Sequence, residues 1–339
     1  MKKILNSVDT FVQDTMEGIE AAYGDKVGLL NGDYRVLVSR YPKQKGKVGI
    51  VTAGGSGHLP LFLGYVGKGL LDGCAVGEVF ASPASEKMAD MIRACDDGAG
   101  VLALYGNYNG DRFNFRMACD DVEFDDIETR QVIARDDVAS SPKEQADKRR
   151  GVAGLIYAYK TASAAAAKML SLNEVAAVAE KTLEKTRSMG VALSPCIVPK
   201  VGEPTFSIAD DEIEIGMGIH GEAGIEVRTT MTADEIATLL LQTILEDMPL
   251  SSGDEVSVMV NGLGSTPLEE QLIVYRSVHR ILTDAGVTVV SPHIGEFATS
   301  MEMAGLSITV MKLDSELKEL LLAPAETPFY TNSNKQVVS

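Results

Sequence analysis

Two histidines in this chain sit in glycine-rich surroundings, where a ligand can approach an imidazole closely. His220 lies in Gly216-Met217-Gly218-Ile219-His220-Gly221-Glu222-Ala223-Gly224, two residues ahead of a carboxylate. His58 closes the turn Gly54-Gly55-Ser56-Gly57-His58. A neutral imidazole can add to a ketone or aldehyde to give a hemiaminal, or serve as a general base. His220 is the sharper case, and His58 also fits a histidine that merely completes a turn. Of the four histidines, His279 falls in a helical pattern at Arg276–Leu282 and reads as a packed or surface residue. His293 follows Pro292 in a loop, and its role stays open. Asp111 closes Gly106-Asn107-Tyr108-Asn109-Gly110-Asp111. A carboxylate there can accept hydrogen bonds from a hydroxylated substrate, although aspartate is also common in plain turns.

The elements that must position these residues follow an α/β pattern. Apolar runs rich in Val, Ile and Leu at Val48–Thr52, Gly100–Tyr105, Glu255–Val260, Val287–Val290 and Ser307–Met311 read as buried strands. Three of them lead into glycine-rich loops, and ligands in open α/β sheets bind where such loops converge at strand ends. Another strand is expected at Thr129–Ala134, in a region dense in charge. Thr266-Pro267-Leu268-Glu269, Thr232-Ala233-Asp234-Glu235 and Ser171-Leu172-Asn173-Glu174 read as capping boxes that open helices. The last of these helices is expected to run to Met189 and stop at Gly190. The Ala-rich stretch Gly151–Leu170 predicts a buried helix. Met189–Pro204, with three prolines, reads as a domain connection, so the domains are expected at 1–188 and 189–339.

Composition narrows the function. Lys and Arg total 31 against 48 Asp and Glu, a formal charge of −17. So acidic a surface repels phosphate backbones and anionic lipids, which argues against nucleic-acid and membrane partners. No apolar run approaches the roughly 18 residues of a membrane helix. Asn6, Ser7 and Asp9 break the N-terminal apolar run, so no signal peptide is expected. The four cysteines form no CxxC pair, which fits a reduced cytoplasm and no zinc cluster. No loop matches a P-loop, a GxGxxG fingerprint or a GxSxG elbow, and no HExxH-like spacing supports metal ligation by His58 and His220.

Taken together, these segments resemble the dihydroxyacetone kinase family, specifically its substrate-binding subunit. The resemblance rests on Gly54–His58, Gly64–Gly69, Asn107–Asp111, Asp136–Ala139, Arg149–Gly154, Gly216–Gly224 and Val260–Gly264, and it spans the chain to about Tyr330. It implies two α/β domains with sheets flanked by helices, a homodimer, and a ketone held on His220 as a hemiaminal. It further implies His58 as general base, Asp111 as orienting acceptor, and the main chain of Gly55, Ser56 and Gly57 lining the substrate. The nucleotide, ATP or ADP with Mg²⁺, belongs in this family to a separate partner subunit of the DhaL type or to a fused domain, so this chain is expected to bind no cofactor or metal itself. The phosphate donor is then either exchanged ATP or a phosphotransferase-system protein. Leu59, Gly106 and Glu296-Phe297 depart from the family pattern, which usually has Glu, Lys and Asn-Tyr there. Losing the lysine at Gly106 opens volume for a longer ketose such as erythrulose. A non-catalytic relative that senses a ketone and works with a transcriptional regulator is the alternative.

Overall fold

The apolar runs expected as strands all form strands in the computed structural model, which describes residues 2–333. Met1 and residues 334–339, the end of the second expected domain, lie outside the described residues. The chain forms two compact units. Among the described residues, one comprises 2–133, 156–182 and 316–333; the other comprises 134–155 and 183–315.

In the first unit, β1 (Val27–Leu30), β2 (Asp33–Ser39), β3 (Gly49–Ser56), β4 (Gly73–Val79), β5 (Val101–Gly106) and β6 (Thr129–Ala134) form one sheet in the order β1-β2-β4-β3-β5-β6. β3 runs parallel to both β4 and β5, and β2 runs antiparallel to β4. Helices α1 (Phe11–Tyr23), α2 (Ser85–Cys95), α3 (Asn109–Val122), α4 (Leu155–Ala167) and α5 (Leu172–Glu184) accompany it. Met88, Met91 and Ile92 of α2 and Phe115, Ala118 and Val122 of α3 pack with Val51, Ala75 and Ala103 of the strands. Their three- and four-residue spacing places one apolar stripe of each helix on the sheet. α4 is buried along most of its length, as its alanines foretell.

The second unit holds β7 (Thr186–Ser194), β8 (Glu212–Ile215), β9 (Glu226–Thr229), β10 (Glu255–Gly262), β11 (Thr288–Gly295) and β12 (Ala304–Leu313), in the order β11-β10-β12-β7-β8-β9. Only the β10–β11 pair is parallel. α6 (Ala233–Asp247) and α7 (Leu268–Asp284) supply Leu240, Leu241, Ile244, Val274, Val278 and Leu282 to a core shared with Val256, Val258, Ile308 and Val310. Thr232 and Glu235 make the expected reciprocal cap at the start of α6.

Several expectations fail for identifiable reasons. The helix opened by Ser171 stops at Glu184, and Met189 and Gly190 lie inside β7. β7 pairs with β12 and β8, so the segment read as a connection holds a central strand, and the units do not divide at 188/189. Thr266 does not cap α7. Its hydroxyl donates to the Gly305 carbonyl and accepts from the Gly305 amide at 2.8 Å. His293 stands in β11 rather than in a loop, and Asp111 stands in the first turn of α3.

Candidate functional site

The candidate residues divide between the units. Gly55, Ser56, Gly57, His58, Gly106 and Asp111 belong to the first, and His220 to the second.

In the first unit β3 ends at Ser56, whose hydroxyl donates to the Gly77 carbonyl at 2.6 Å. His58 is fully buried; its ring stacks on Phe80 at 4.7 Å and meets the edge of Phe62 at 5.9 Å. A Cβ on Gly55 would lie 2.7 Å from the Ala81 amide nitrogen, so only glycine lets the two backbones approach this closely. The same 80–83 segment reaches α3. Asn114 donates to Ser82 and to the Pro83 carbonyl, at 3.3 and 2.8 Å. One loop therefore braces both the turn bearing His58 and the start of α3. Gly106 is the last residue of β5, and its carbonyl accepts from the Tyr108 amide at 2.8 Å. Asp111, buried, is the third residue of α3, where the positive end of the helix favours a carboxylate.

In the second unit β8 delivers the chain into the glycine loop at Gly216. Every turn of that loop is tied. The Gly216 amide donates to the Gly190 carbonyl at 2.7 Å, and the Gly218 amide to the Glu222 carbonyl at 2.9 Å. Ser300 donates its hydroxyl to the Ile219 carbonyl. Arg150 donates to the Gly216 carbonyl at 2.9 Å while paired with Asp137 at 2.8 Å. A Cβ on Gly218 would lie 2.1 Å from a Glu222 carboxylate oxygen and 2.5 Å from an Arg150 nitrogen, so any side chain there would displace the groups that tie the loop.

Glu222 engages His220 twice. One carboxylate oxygen accepts the His220 amide at 2.9 Å, and the other meets Nδ1 at 2.8 Å. Partial burial works against the Glu222 charge, but the bonds from His220 win and hold its pKa down to about 2. An ionised carboxylate only accepts, so Nδ1 is the ring nitrogen that donates to Glu222, and Nε2 is the one turned away from it. The His220 side chain is 22% exposed, which leaves the ring partly open. Nearby, burial raises the Asp137 pKa to about 6 against the pull of Arg150. The neighbouring Asp136 is also pushed up by burial, though Ser188 and the amides of Val152 and Gly154 hydrogen-bond to it. Asn261 accepts from the amides of Phe297 and Ala298, both at 2.8 Å, which fixes the backbone of the departing Glu296-Phe297 pair.

Glu222, Arg150, Asp137 and Ser300 are the supporting residues that pattern reading did not single out. The His-x-Glu spacing is a signal for the first, Asp137 and Arg150 fall in the segments Asp136–Ala139 and Arg149–Gly154 without a role assigned to them, and nothing local marks Ser300. His279 lies exposed on α7, and His293 lies beside Phe297. Among the described residues, no group of three or more His, Cys, Asp or Glu is placed to hold a metal ion, and no helix is long and apolar enough to cross a membrane.

A Dak1 domain model matches residues 17–329. The chain belongs to the DhaK-like family. It is 44% identical over 328 residues to a dihydroxyacetone-binding subunit, DhaK, of a PTS-dependent dihydroxyacetone kinase from Listeria innocua, covering 96% of this chain and 99% of that one. It is 41% identical to an L-erythrulose kinase of Pectobacterium atrosepticum, covering 97% of this chain and 56% of that longer protein. Among solved structures, a dihydroxyacetone kinase operon co-activator, Dha-DhaQ, superposes with a TM-score of 0.87 at 29% identity, covering 95% of this chain and 97% of the other. The fold of this DhaK-like chain is thus the two-sheet α/β architecture expected from its motifs.

Proposed function

We propose that this chain is the ketose-binding subunit of a dihydroxyacetone-type kinase, a phosphotransferase, and that it holds a short ketose covalently on His220. The observation that carries the reading is the bond from His220 Nδ1 to an ionised Glu222. Nε2 adds to the substrate carbonyl carbon; the carbonyl π bond breaks, and its oxygen takes a proton from solvent to become a hydroxyl. The positive charge left on the ring faces the Glu222 carboxylate. Only a carbonyl compound forms this adduct, so glycerol is excluded by chemistry rather than by shape. His58 is the general base for the hydroxyl that is phosphorylated, and Asp111 orients that hydroxyl. The main chain of Gly55, Ser56 and Gly57 and the space at Gly106 complete the substrate pocket.

The phosphoryl group comes from a nucleotide-carrying partner subunit of the DhaL type, with Mg²⁺ held there. The chain acts in the cytoplasm as a homodimer. The likeness to an erythrulose kinase and the absence of a side chain at Gly106 support a four-carbon ketose as substrate. Steady-state assays with a nucleotide-carrying partner test this, using dihydroxyacetone and both erythrulose enantiomers. Turnover is expected, with kcat/KM higher for erythrulose; a clear preference for dihydroxyacetone rejects the four-carbon substrate. The likeness to a co-activator favours a second reading, a ketone sensor that binds a regulator. No turnover with any ketose, together with ketone-dependent binding to a regulator, selects that one.

A further inference from the structure

We propose that the first unit carries a second ligand site, for a small organic anion with an apolar body, at the end of its sheet opposite the glycine-rich turn. The inference does not rest on the phosphotransfer reading. A cavity of about 380 Å³ opens where Lys47 precedes β3 and Asp72 precedes β4. The two strands are parallel, so their starts share one end of the sheet, while Gly55, Ser56 and His58 lie at the other. At about 3.3 Å per residue, the length of β3 separates the two places by roughly 25 Å.

The walls are largely apolar, formed by Leu30, Val38, Leu70 and Ala167. Into this lining α4 brings Ser163, which is 2% exposed and whose hydroxyl has no hydrogen-bond partner. A serine inside a helix ordinarily bonds back to the preceding turn, and a buried hydroxyl left unmatched is a cost a ligand oxygen would remove. The charged residues of the lining are Lys43, Lys47, Lys68 and Asp72. Asp72 pairs with Lys47 at 2.6 Å. Lys43 donates to the Ala94 carbonyl, a neutral acceptor. Lys68 also attracts Glu326, which lies outside the lining. The lining itself thus carries three ammonium groups against the single carboxylate of Asp72, in a chain whose net charge is −17. The site suits an anionic head, carboxylate or phosphate monoester, between Lys43 and Lys68. A short carbon body fills the cavity, and a polar atom meets Ser163.

Isothermal titration of the full chain with hexanoate, hexyl phosphate and inorganic phosphate tests the site. One saturable site per chain is expected for at least one amphiphile, and which of them binds identifies the head group. Lys43→Glu/Lys68→Glu, at exposed positions, should weaken that binding by about tenfold or more. Ser163→Leu fills the cavity and should remove it, while His220→Ala should leave it unchanged. If Ser163→Leu fails to fold, the double lysine variant decides alone. Saturation by neither amphiphile, inorganic phosphate binding as tightly as hexyl phosphate, or equal affinity in the double lysine variant would each overturn the proposal.

Discussion

Glu222 grips His220 at both its backbone amide and its ring Nδ1, at 2.9 and 2.8 Å, so one carboxylate sets the position and the tautomer of the imidazole together. Replacing Glu222 with Gln tests that dual role. The amide can present N–H to Nδ1, which moves the ring proton to Nε2 and removes the lone pair that adds to a carbonyl. Adduct formation should slow by about 10²–10⁴-fold, the scale of tautomer-trapping changes elsewhere. Mass spectrometry after reductive trapping reads this directly. His220→Ala should give no mass increment; an unchanged increment would move the anchor to another residue.

His58→Asn should lower kcat of the coupled reaction by about 10²–10⁴-fold, the usual range for losing a general base. Ketone binding, followed by adduct yield, should change far less. Equal losses in both would remove the base role and leave a packing role against Phe80.

Asp247 should make acid stability visible. Arg149 pairs with it at 2.6 Å and Arg187 pairs with it too, and against the cost of burial they hold its pKa at about 2. A depressed carboxylate contributes stability that is full above its unfolded value, near 3.8, and lost as pH falls through the folded one. The stability difference between wild type and Asp247→Asn should therefore shrink by about 2 kcal/mol from pH 4 to pH 2, measured by urea unfolding. Asp137, raised to about 6, has the opposite sign. Its contribution is full below about pH 4 and is lost as pH rises through 6, so Asp137→Asn should flatten the profile in that window.

Thr232→Ala should cost about 1 kcal/mol, because the hydroxyl that accepts from the Glu235 amide is lost, while the residue-232 amide can still donate to the Glu235 carboxylate. Thr266→Ala should act differently. Its hydroxyl joins the 266 and 305 backbones rather than capping α7, so the loss should appear as faster amide exchange at Gly305.

What could be read in advance was local. The caps at Ser171 and Thr232 depend on partners three residues away, and they form as expected. Gly190 misled because a glycine after a helical pattern reads as a stop. Here it is a strand residue opposite Ser307, and its carbonyl receives the Gly216 amide. Those partners lie far along the chain, and no window of sequence contains them. The same holds at the candidate site. His220 announces itself through its glycines, whereas Arg150, though it falls in the Arg149–Gly154 motif, acts on the Gly216 carbonyl 66 residues away, and nothing near it in sequence tells that partner.

The interleaving of the two units bears on how the chain is made. The unit carrying His58 draws on its last segment for contacts with both earlier ones: Lys160 of the middle segment donates to the Leu320 carbonyl at 2.9 Å, and Thr327 donates to the Gly64 carbonyl of the first at 2.7 Å. A ribosome delivers residues 183–315 before that segment, so the His220 unit can finish folding on the nascent chain while the earlier-made strands still wait. Vectorial synthesis thus completes the later-encoded half first, and a release that stops short of residue 316 leaves the earlier half unclosed.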